Sequence, residues 1–328
     1  MSETTIEQIM RGDTPRVRGE LKVAVLRGGV GRERDVSLES GRCVAEALRL
    51  ARLDVVVSDI RPDELHVLDR MDIDVFFLAL HGEFGEDGQL QQIFEDRGLL
   101  YTGSGAEASR LAFDKAAAKE RFATAGVDVP PAVDFRQDMR LAELEDRLAE
   151  LGDRFVVKPV RQGSSVGVHV VTGHKEAAAT ARQVREEFGD CLIESFIEGR
   201  EITVGILGRQ TLPIIEIRSK TGFYDYHAKY TDRQTEYLFD TVADEDTRAR
   251  IHRAALACFD ALGCRDFARV DFILADDGVP YALEVNTIPG FTTHSLLPKA
   301  AVRARTSPVE LCVEIVQLAD SRQDSRVT

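Results

Sequence analysis

The chain has no surplus of positive charge: 42 Lys and Arg stand against 56 Asp and Glu, a formal net charge of −14 over 328 residues. A nucleic-acid partner needs a basic surface to neutralise backbone phosphate, so DNA and RNA are disfavoured. A few lysines and arginines inside one cleft would still hold a small polyphosphate. Long apolar runs are missing as well. The longest, near Val75 to Leu80, falls well short of the ~18–20 residues of a membrane span, so no membrane partner is expected. The opening MSETTIEQIMRGD lacks the basic and apolar regions of a secretory leader, which predicts a cytoplasmic protein. The five cysteines, Cys43, Cys191, Cys258, Cys264 and Cys312, are odd in number, scattered and without a CxxC pair. That pattern disfavours a disulfide framework or a zinc site and suits reduced thiols. No GxxxxGK[ST] and no GxGxxG is present, so a P-loop NTPase and a dinucleotide-binding dehydrogenase both recede. Internal repeats and low-complexity tracts are lacking too.

What remains is a soluble globular composition, 44% hydrophobic and 30% charged. The length is large for one core and predicts two or three subdomains. Residues 1–20 read as a loose polar extension. Short apolar strands at 22–26, 54–60 and 75–80 alternate with an amphipathic helix carrying Val44, Ala47, Leu48 and Ala51 and a second helix over 87–97; a strand at 99–101 follows. This is the pattern of an open α/β sheet, ending near residue 103. A second segment, 104–190, holds a helix from 114 to about 125, a charged helix ending near Leu151, and strand–loop–strand over 154–171. A third, 191–328, holds strands at 191–197, 201–207 and 211–217, a helix over 243–262, a hairpin and a last helix near 308–320.

The hairpin, FARVDFILADDGVPYALEVNTIPG from Phe267 to Gly290, is the most informative stretch. Asp276-Asp277-Gly278 tolerates the positive φ of a tight turn. A turn centred on Asp276-Asp277 pairs Leu274 with Val279, Asp271 with Ala282, and Arg269 with Glu284. Strict alternation then puts Val279, Tyr281, Leu283 and Val285 on one face and Ala282, Glu284 and Asn286 on the other. Arg269, Asp271, Glu284 and Asn286 crowd one patch. Such a patch is either a solvated face with an Arg–Glu pair or a Mg²⁺ site, since two carboxylates and an amide oxygen suit a hard cation that shares ligands with phosphates.

Three further stretches carry candidate chemistry. KPVRQGSSVG offers Lys158 and then Gly163 to Gly167, small residues that let backbone N–H groups approach phosphate; otherwise the loop is an ordinary hairpin connection. Lys115, in FDKAAAKE, is a second phosphate lysine or the exposed side of a helix. His81, in LHGEFGEDG, follows a strand of the open sheet, where such sheets bind ligands, or is a solvated loop residue.

Eight stretches in order resemble the ATP-grasp enzymes and, among them, the D-alanine–D-alanine ligase family. They are RERDVSLESG, HGEFGEDGQLQ, YTGSG, DKAAAK, KPVRQGSSVGV, IESFIEGREITVGIL, YDYHAKY and RVDFILADDGVPYALEVNTIPGFTTHSLLP, and they span about residues 22 to 300. The resemblance implies an ATP-grasp fold of three subdomains, with ATP between the central and C-terminal ones, and a homodimer. It implies that two D-alanines are joined through an acyl phosphate, releasing ADP and phosphate, for peptidoglycan and so cell-wall synthesis. Lys115 and Lys158 would contact the phosphates beneath the Gly163–Gly167 loop with Ser165. Glu194, Phe196, Ile197 and Glu201 would hold adenine and ribose, and Lys229 would belong to a lid.

By the same resemblance, Asp271, Glu284 and Asn286 hold two Mg²⁺, with Mn²⁺ able to stand in. Arg269 and the Gly290 N–H serve the oxyanion. Asp35, in a network with Ser164 and Tyr230, meets the first substrate's ammonium, near His81; Ser295 and the Leu296 N–H bind the second substrate's carboxylate. Asp35 stands in for the more usual Glu, His227 for Glu in YDYEAKY, and the stretch after it lacks the common Pro-Ala step. Tyr230 favours an amine over D-lactate as nucleophile. Two alternatives remain beside this reading: an ATP-grasp ligase for another amino-acid pair, and a nucleotide-binding relative that does not catalyse.

Overall fold

A computed structural model describes residues 21–136, 138–218 and 235–324. Its first sheet has the order β2-β1-β3, all parallel, from β1 (Lys22–Gly28), β2 (Asp54–Ile60) and β3 (Val75–Leu78). Alternation along β1 feeds two cores. Val23 and Val25 pack with Val44, Ala47 and Leu48 of α1 (Arg34–Leu50). Ala24 and Leu26 pack on the opposite face with Leu90 and Phe94 of α2 (Gln89–Asp96). The strand expected at 99–101 is reduced to one parallel bridge, Tyr101 to Phe76.

The next two helices, α3 (Ala106–Phe113) and α4 (Lys115–Thr124), lead to a four-stranded antiparallel sheet of order β4-β7-β5-β6. It comprises β4 (Ala132–Phe135), β5 (Arg154–Pro159), β6 (His169–Thr172) and β7 (Cys191–Ser195). One face is covered by α5 (Leu141–Leu148) and α6 (His174–Phe188), whose Leu144, Leu148, Ala177, Ala181 and Val184 meet Phe135 and Phe155. The third sheet, antiparallel with order β11-β10-β8-β12-β13, comprises β8 (Gly199–Leu207), β10 (Ile215–Arg218), β11 (Glu236–Phe239), β12 (Phe267–Ala275) and β13 (Pro280–Asn286). A two-residue β9 (Gln210–Thr211) pairs with β8. Helix α7 (Glu245–Ala261) backs this sheet. After α8 (Leu296–Arg303), α9 (Pro308–Asp324) returns to pack on α1.

Two expected boundaries move. A division at 190/191 would separate β7 from its sheet, yet β7 is hydrogen-bonded to β4 on one side and β5 on the other. The division at 103/104 assigns α3 and α4 to the central unit, but Ala112, Ala118 and Phe122 share a core with Val270, Phe272 and Val285 of the third sheet. Strand pairing and burial, which are long-range, override the local breaks in sequence. The helices α3 and α6 give little sequence signal because their buried faces are largely alanine, a weak apolar pattern, whereas α8 is short and holds a proline among its buried residues. All five cysteines are free, three of them buried. Among the described residues no helix is long and apolar enough to cross a membrane.

Candidate active site

The hairpin β12–β13 places the acids, though not in the expected register. Ala275 and Val279 flank a three-residue turn in which Gly278 takes φ 80°, so Leu274 faces Pro280 and not Val279. A bulge then shifts the register again between Asp271 and Phe272. Opposite pairs become Asp271 with Glu284 and Arg269 with Asn286, replacing the expected Asp271–Ala282 and Arg269–Glu284. Between the two shifts the parity is reversed: Ala282 is buried in the core, whereas Leu283 joins Glu284 on the cavity side. In a regular ladder from the same turn, Glu284 would turn inward; the bulge brings it to Asp271.

Asp271 is held in place. Arg269 grips it in a two-pronged pair, Nε to Oδ1 at 2.9 Å and Nη2 to Oδ2 at 2.7 Å. The Thr203 hydroxyl on β8 donates to Oδ1 at 2.6 Å. Both members of the ion pair are largely buried, with side chains 13% and 7% exposed. A planar guanidinium matched to a carboxylate in this way fixes direction as well as charge.

Two cavities meet at this hairpin. One, of about 140 Å³, is lined by Glu33, His81, Ser164, Arg269, Gly290 and Ser295. The other, of about 370 Å³ between the central and third sheets, is lined by Lys158, Glu194, Phe196, Ile197, Glu201 and Ser165. Lys115, Asp271 and Glu284 line both. Lys115, at the N-terminus of α4, donates to the Gln162 carbonyl at 2.5 Å and lies 3.4 Å from Glu284 Oε2. The junction therefore gathers cationic and anionic side chains at one point, flanked by a small polar chamber and a larger, more apolar one.

Beside Glu194 and Lys158, which the sequence singled out, the larger chamber is lined by Arg200, Glu216 and Arg218, which it did not. Glu194, 2% exposed, takes Lys158 at 2.9 Å on Oε2 and Lys119 at 2.8 Å on Oε1. Burial works to raise its pKa, and the two ammonium groups outweigh burial and hold it below the ordinary carboxylate value. Glu216, equally buried, is flanked by Arg200 and Arg218 at 2.9 Å and 2.7 Å. The guanidinium of Arg154 lies 3.7 Å above the Phe196 ring and covers one of its faces.

In the smaller chamber the carboxylate that meets Ser164 belongs to Glu33, not Asp35. The Ser164 hydroxyl donates to Glu33, and Gly82 has no side chain that would block that carboxylate. Asp35, in the first turn of α1, is exposed and lines neither chamber. The physical reason is local: Glu33 occupies the cap position before the helix, and two residues later the side chain points to solvent. Ser164 and Ser165 have φ of 51° and 58°, a strained conformation for serine that fits a functional loop.

His81 is buried. Its Nδ1 lies 2.9 Å from the Ile288 carbonyl, which can only accept, so Nδ1 carries the proton. Nε2 of the neutral ring then accepts from Ser40 at 3.1 Å, and Ser40 Oγ accepts the Phe291 N–H at 3.2 Å. His81 thereby ties β3's end to the segment after β13. Burial works to lower its pKa, and the neighbouring Glu86 carboxylate reverses that and raises it. Glu86, which lines the smaller chamber, is another site residue the sequence did not point to.

Gly290 has a steric purpose. A Cβ there would sit 2.6 Å from Ser295 Oγ. Ser295 itself accepts the Thr292 N–H at 3.0 Å and stands at the N-terminal cap of α8, so the Leu296 N–H opens toward the chamber. Uncapped N–H groups at a helix start favour a carboxylate. Lys229, Tyr230 and His227 lie outside the described residues.

The hairpin donors fit a divalent cation that completes its shell elsewhere. Among the described residues no three His, Cys, Asp or Glu side chains gather into a metal cluster. The set here is two carboxylates and an amide. Asp271 retains acceptor capacity on Oδ2, Glu284 is partly exposed at the junction, and Asn286 Oδ1 takes the Ile288 N–H at 3.1 Å. An all-oxygen, incomplete set suits Mg²⁺ bound together with phosphate and water.

A parallel sheet followed by two antiparallel sheets that enclose a charged cleft is an ATP-grasp architecture. The chain superposes on the D-alanine–D-alanine ligase from Bacillus anthracis solved with ATP, at a TM-score of 0.81 and 34% identity over 94% of this chain and 100% of that one. It superposes similarly on the VanG D-Ala:D-Ser ligase from Enterococcus faecalis, at 0.80 and 29% over 92% and 100%. The chain belongs to the D-alanine–D-alanine ligase family: the family's C-terminal pattern, "D-ala D-ala ligase C-terminus", matches residues 122–317 and its N-terminal pattern residues 66–104. Ligases of that name from Syntrophotalea carbinolica and Methylacidiphilum infernorum are 42% and 37% identical, over 92% and 90% of this chain and 97% and 95% of theirs.

Proposed function

We propose that the chain joins two D-alanines at the expense of ATP, giving D-alanyl-D-alanine, ADP and phosphate. The observation that carries this reading is the meeting of two chambers at Lys115, Asp271 and Glu284. A nucleotide in the larger chamber would present its terminal phosphate where a small amino acid in the other presents its carboxylate.

Lys115 and Lys158 offset phosphate charge under the Gly163–Gly167 loop. Glu194, Phe196, Ile197 and Glu201 hold the base and ribose. Asp271, Glu284 and Asn286 would hold Mg²⁺, which when bound neutralises charge on the transferring phosphoryl group. The first D-alanine's carboxylate takes that group and becomes an acyl phosphate. Glu33, in the role expected of Asp35, accepts from its ammonium, with His81 nearby. The second amine attacks the acyl carbon, and phosphate leaves. Arg269 and the Gly290 N–H stabilise the developing oxyanion. Ser295 and the Leu296 N–H orient the second carboxylate. A homodimer and a cytoplasmic location complete the reading on the strength of the family resemblance.

The test is phosphate and dipeptide release with ATP and Mg²⁺ over a panel of D- and L-amino acids. D-Alanine alone should support both. The relation to a D-Ala:D-Ser ligase gives the panel a second informative arm: dipeptide formed only with D-serine as the added partner would replace D-alanine at the second position. No D-alanine-dependent phosphate would overturn the reading. Chelation should abolish release and added Mg²⁺ should restore it, with Glu284→Gln requiring more.

A further inference from the structure

The helix α4 sets two ammonium groups along the cleft one turn apart, Lys115 and Lys119. Lys115 reaches the junction of the chambers. Lys119 reaches Glu194 at 2.8 Å and donates to the Pro130 carbonyl at 3.0 Å, yet it does not line the nucleotide chamber. Lys158, which does, shares the same carboxylate from the other side at 2.9 Å.

Both cations cannot be permanent partners if one of them serves phosphate. Resting on the nucleotide reading above, we propose that Lys119 is a positioning residue for nucleotide: it is the resident counter-ion of Glu194, which frees Lys158 to move from that carboxylate to the phosphates. Glu194 is 2% exposed, and a carboxylate so buried cannot stand ionised without a partner. With Lys119 retained, departure of Lys158 leaves Glu194 charged, aimed into the chamber and with an open acceptor for N–H donors of the base. Without Lys119, the same departure strands a buried charge, and Glu194 takes up a proton instead.

Among the described residues the groups around Glu194 are few. Lys158 faces it from β5 and Lys119 from α4; Ala132 opposes it on β4, Val156 on β5. Arg200, Glu201, Glu216 and Arg218 line the far side of the chamber, and Arg200 and Arg218 are paired with Glu216. Lys119 itself is partly desolvated, which lowers its pKa, and the Glu194 carboxylate opposes that shift.

The experiment is calorimetric binding of a non-hydrolysable ATP analogue with Mg²⁺ and no amino acid, run in two buffers of different ionisation enthalpy. Lys119→Gln removes the charge and keeps a donor for the Pro130 carbonyl. It should weaken binding by roughly 10- to 100-fold and add proton uptake that the wild type lacks. In a Glu194→Gln background the same substitution should produce neither effect, and Lys119→Arg should largely restore both affinity and proton balance. Equal affinity and equal proton uptake in wild type and Lys119→Gln would overturn the inference, as would the same loss with or without the Glu194 carboxylate. If the wild type bound no analogue, the nucleotide reading itself would fall first.

Discussion

The Ser164 hydroxyl donates to the Glu33 carboxylate across 131 positions of sequence. The contact joins the Gly163–Gly167 loop to the segment that follows β1, so the first substrate's ammonium would meet a carboxylate already fixed by hydrogen bonding. Glu33→Gln should raise KM for the first D-alanine and lower kcat/KM by about 100-fold, in line with a lost charge-assisted contact. Asp35→Asn should stay within about twofold of wild type. Steady-state kinetics on the two variants decides between the carboxylates.

Arg269 and Asp271 stabilise the protein as a pair and serve the reaction separately. Arg269→Met should destabilise the protein by about 3–5 kcal/mol, because it strands a buried carboxylate whose remaining side-chain donor among the described residues is Thr203. The double variant Arg269→Met, Asp271→Asn should regain most of that stability and none of the activity. Denaturant unfolding beside phosphate release separates the two effects.

Gly290 leaves no room for a methyl group. Gly290→Ala should force Ser295 away from the chamber and raise KM for the second D-alanine more than for the first. The stability loss should stay near 1–3 kcal/mol, the usual range for overpacking. Kinetics with each substrate varied in turn would show whether the effect falls on the second site.

The His81–Glu86 pair gives stability a pH dependence. The pKa of His81 is raised on folding, so its contribution is fully present below the ordinary imidazole value and is lost as pH rises through the folded value. Wild-type Tm should therefore fall across that interval. Glu86→Gln should flatten the decline, because it removes the carboxylate that raises the histidine. Melting curves at a series of pH values at constant ionic strength measure both slopes.

Much of this site is legible in the sequence, for reasons that differ residue by residue. Asp271, Glu284 and Asn286 could be put on one face because alternation is a local rule. Their partners could not, because a three-residue turn and a bulge each shift register by one and the two shifts cancel in parity. Lys115 and Lys158 stand in recognisable stretches, whereas Lys119 looks like any solvated helix residue until Glu194 comes to meet it from another sheet. Glu33 and Asp35 are chemically alike in sequence; only the start of α1 between them decides which enters the chamber. The boundary at 190/191 follows a real change of element, and only hydrogen bonding across β4, β7 and β5 assigns the strand.

The chambers draw their walls from all three sheets and from loops between them: Glu33 and His81 from the first, Ser164 and Lys158 from the second, Arg269 and Asp271 from the third. A modest slippage of one layer against another would dismantle the walls while every helix and strand stayed intact. On gradual heating, turnover should therefore fade at lower temperatures than far-ultraviolet circular dichroism does, and a bound nucleotide that bridges two layers should close the gap between the two curves.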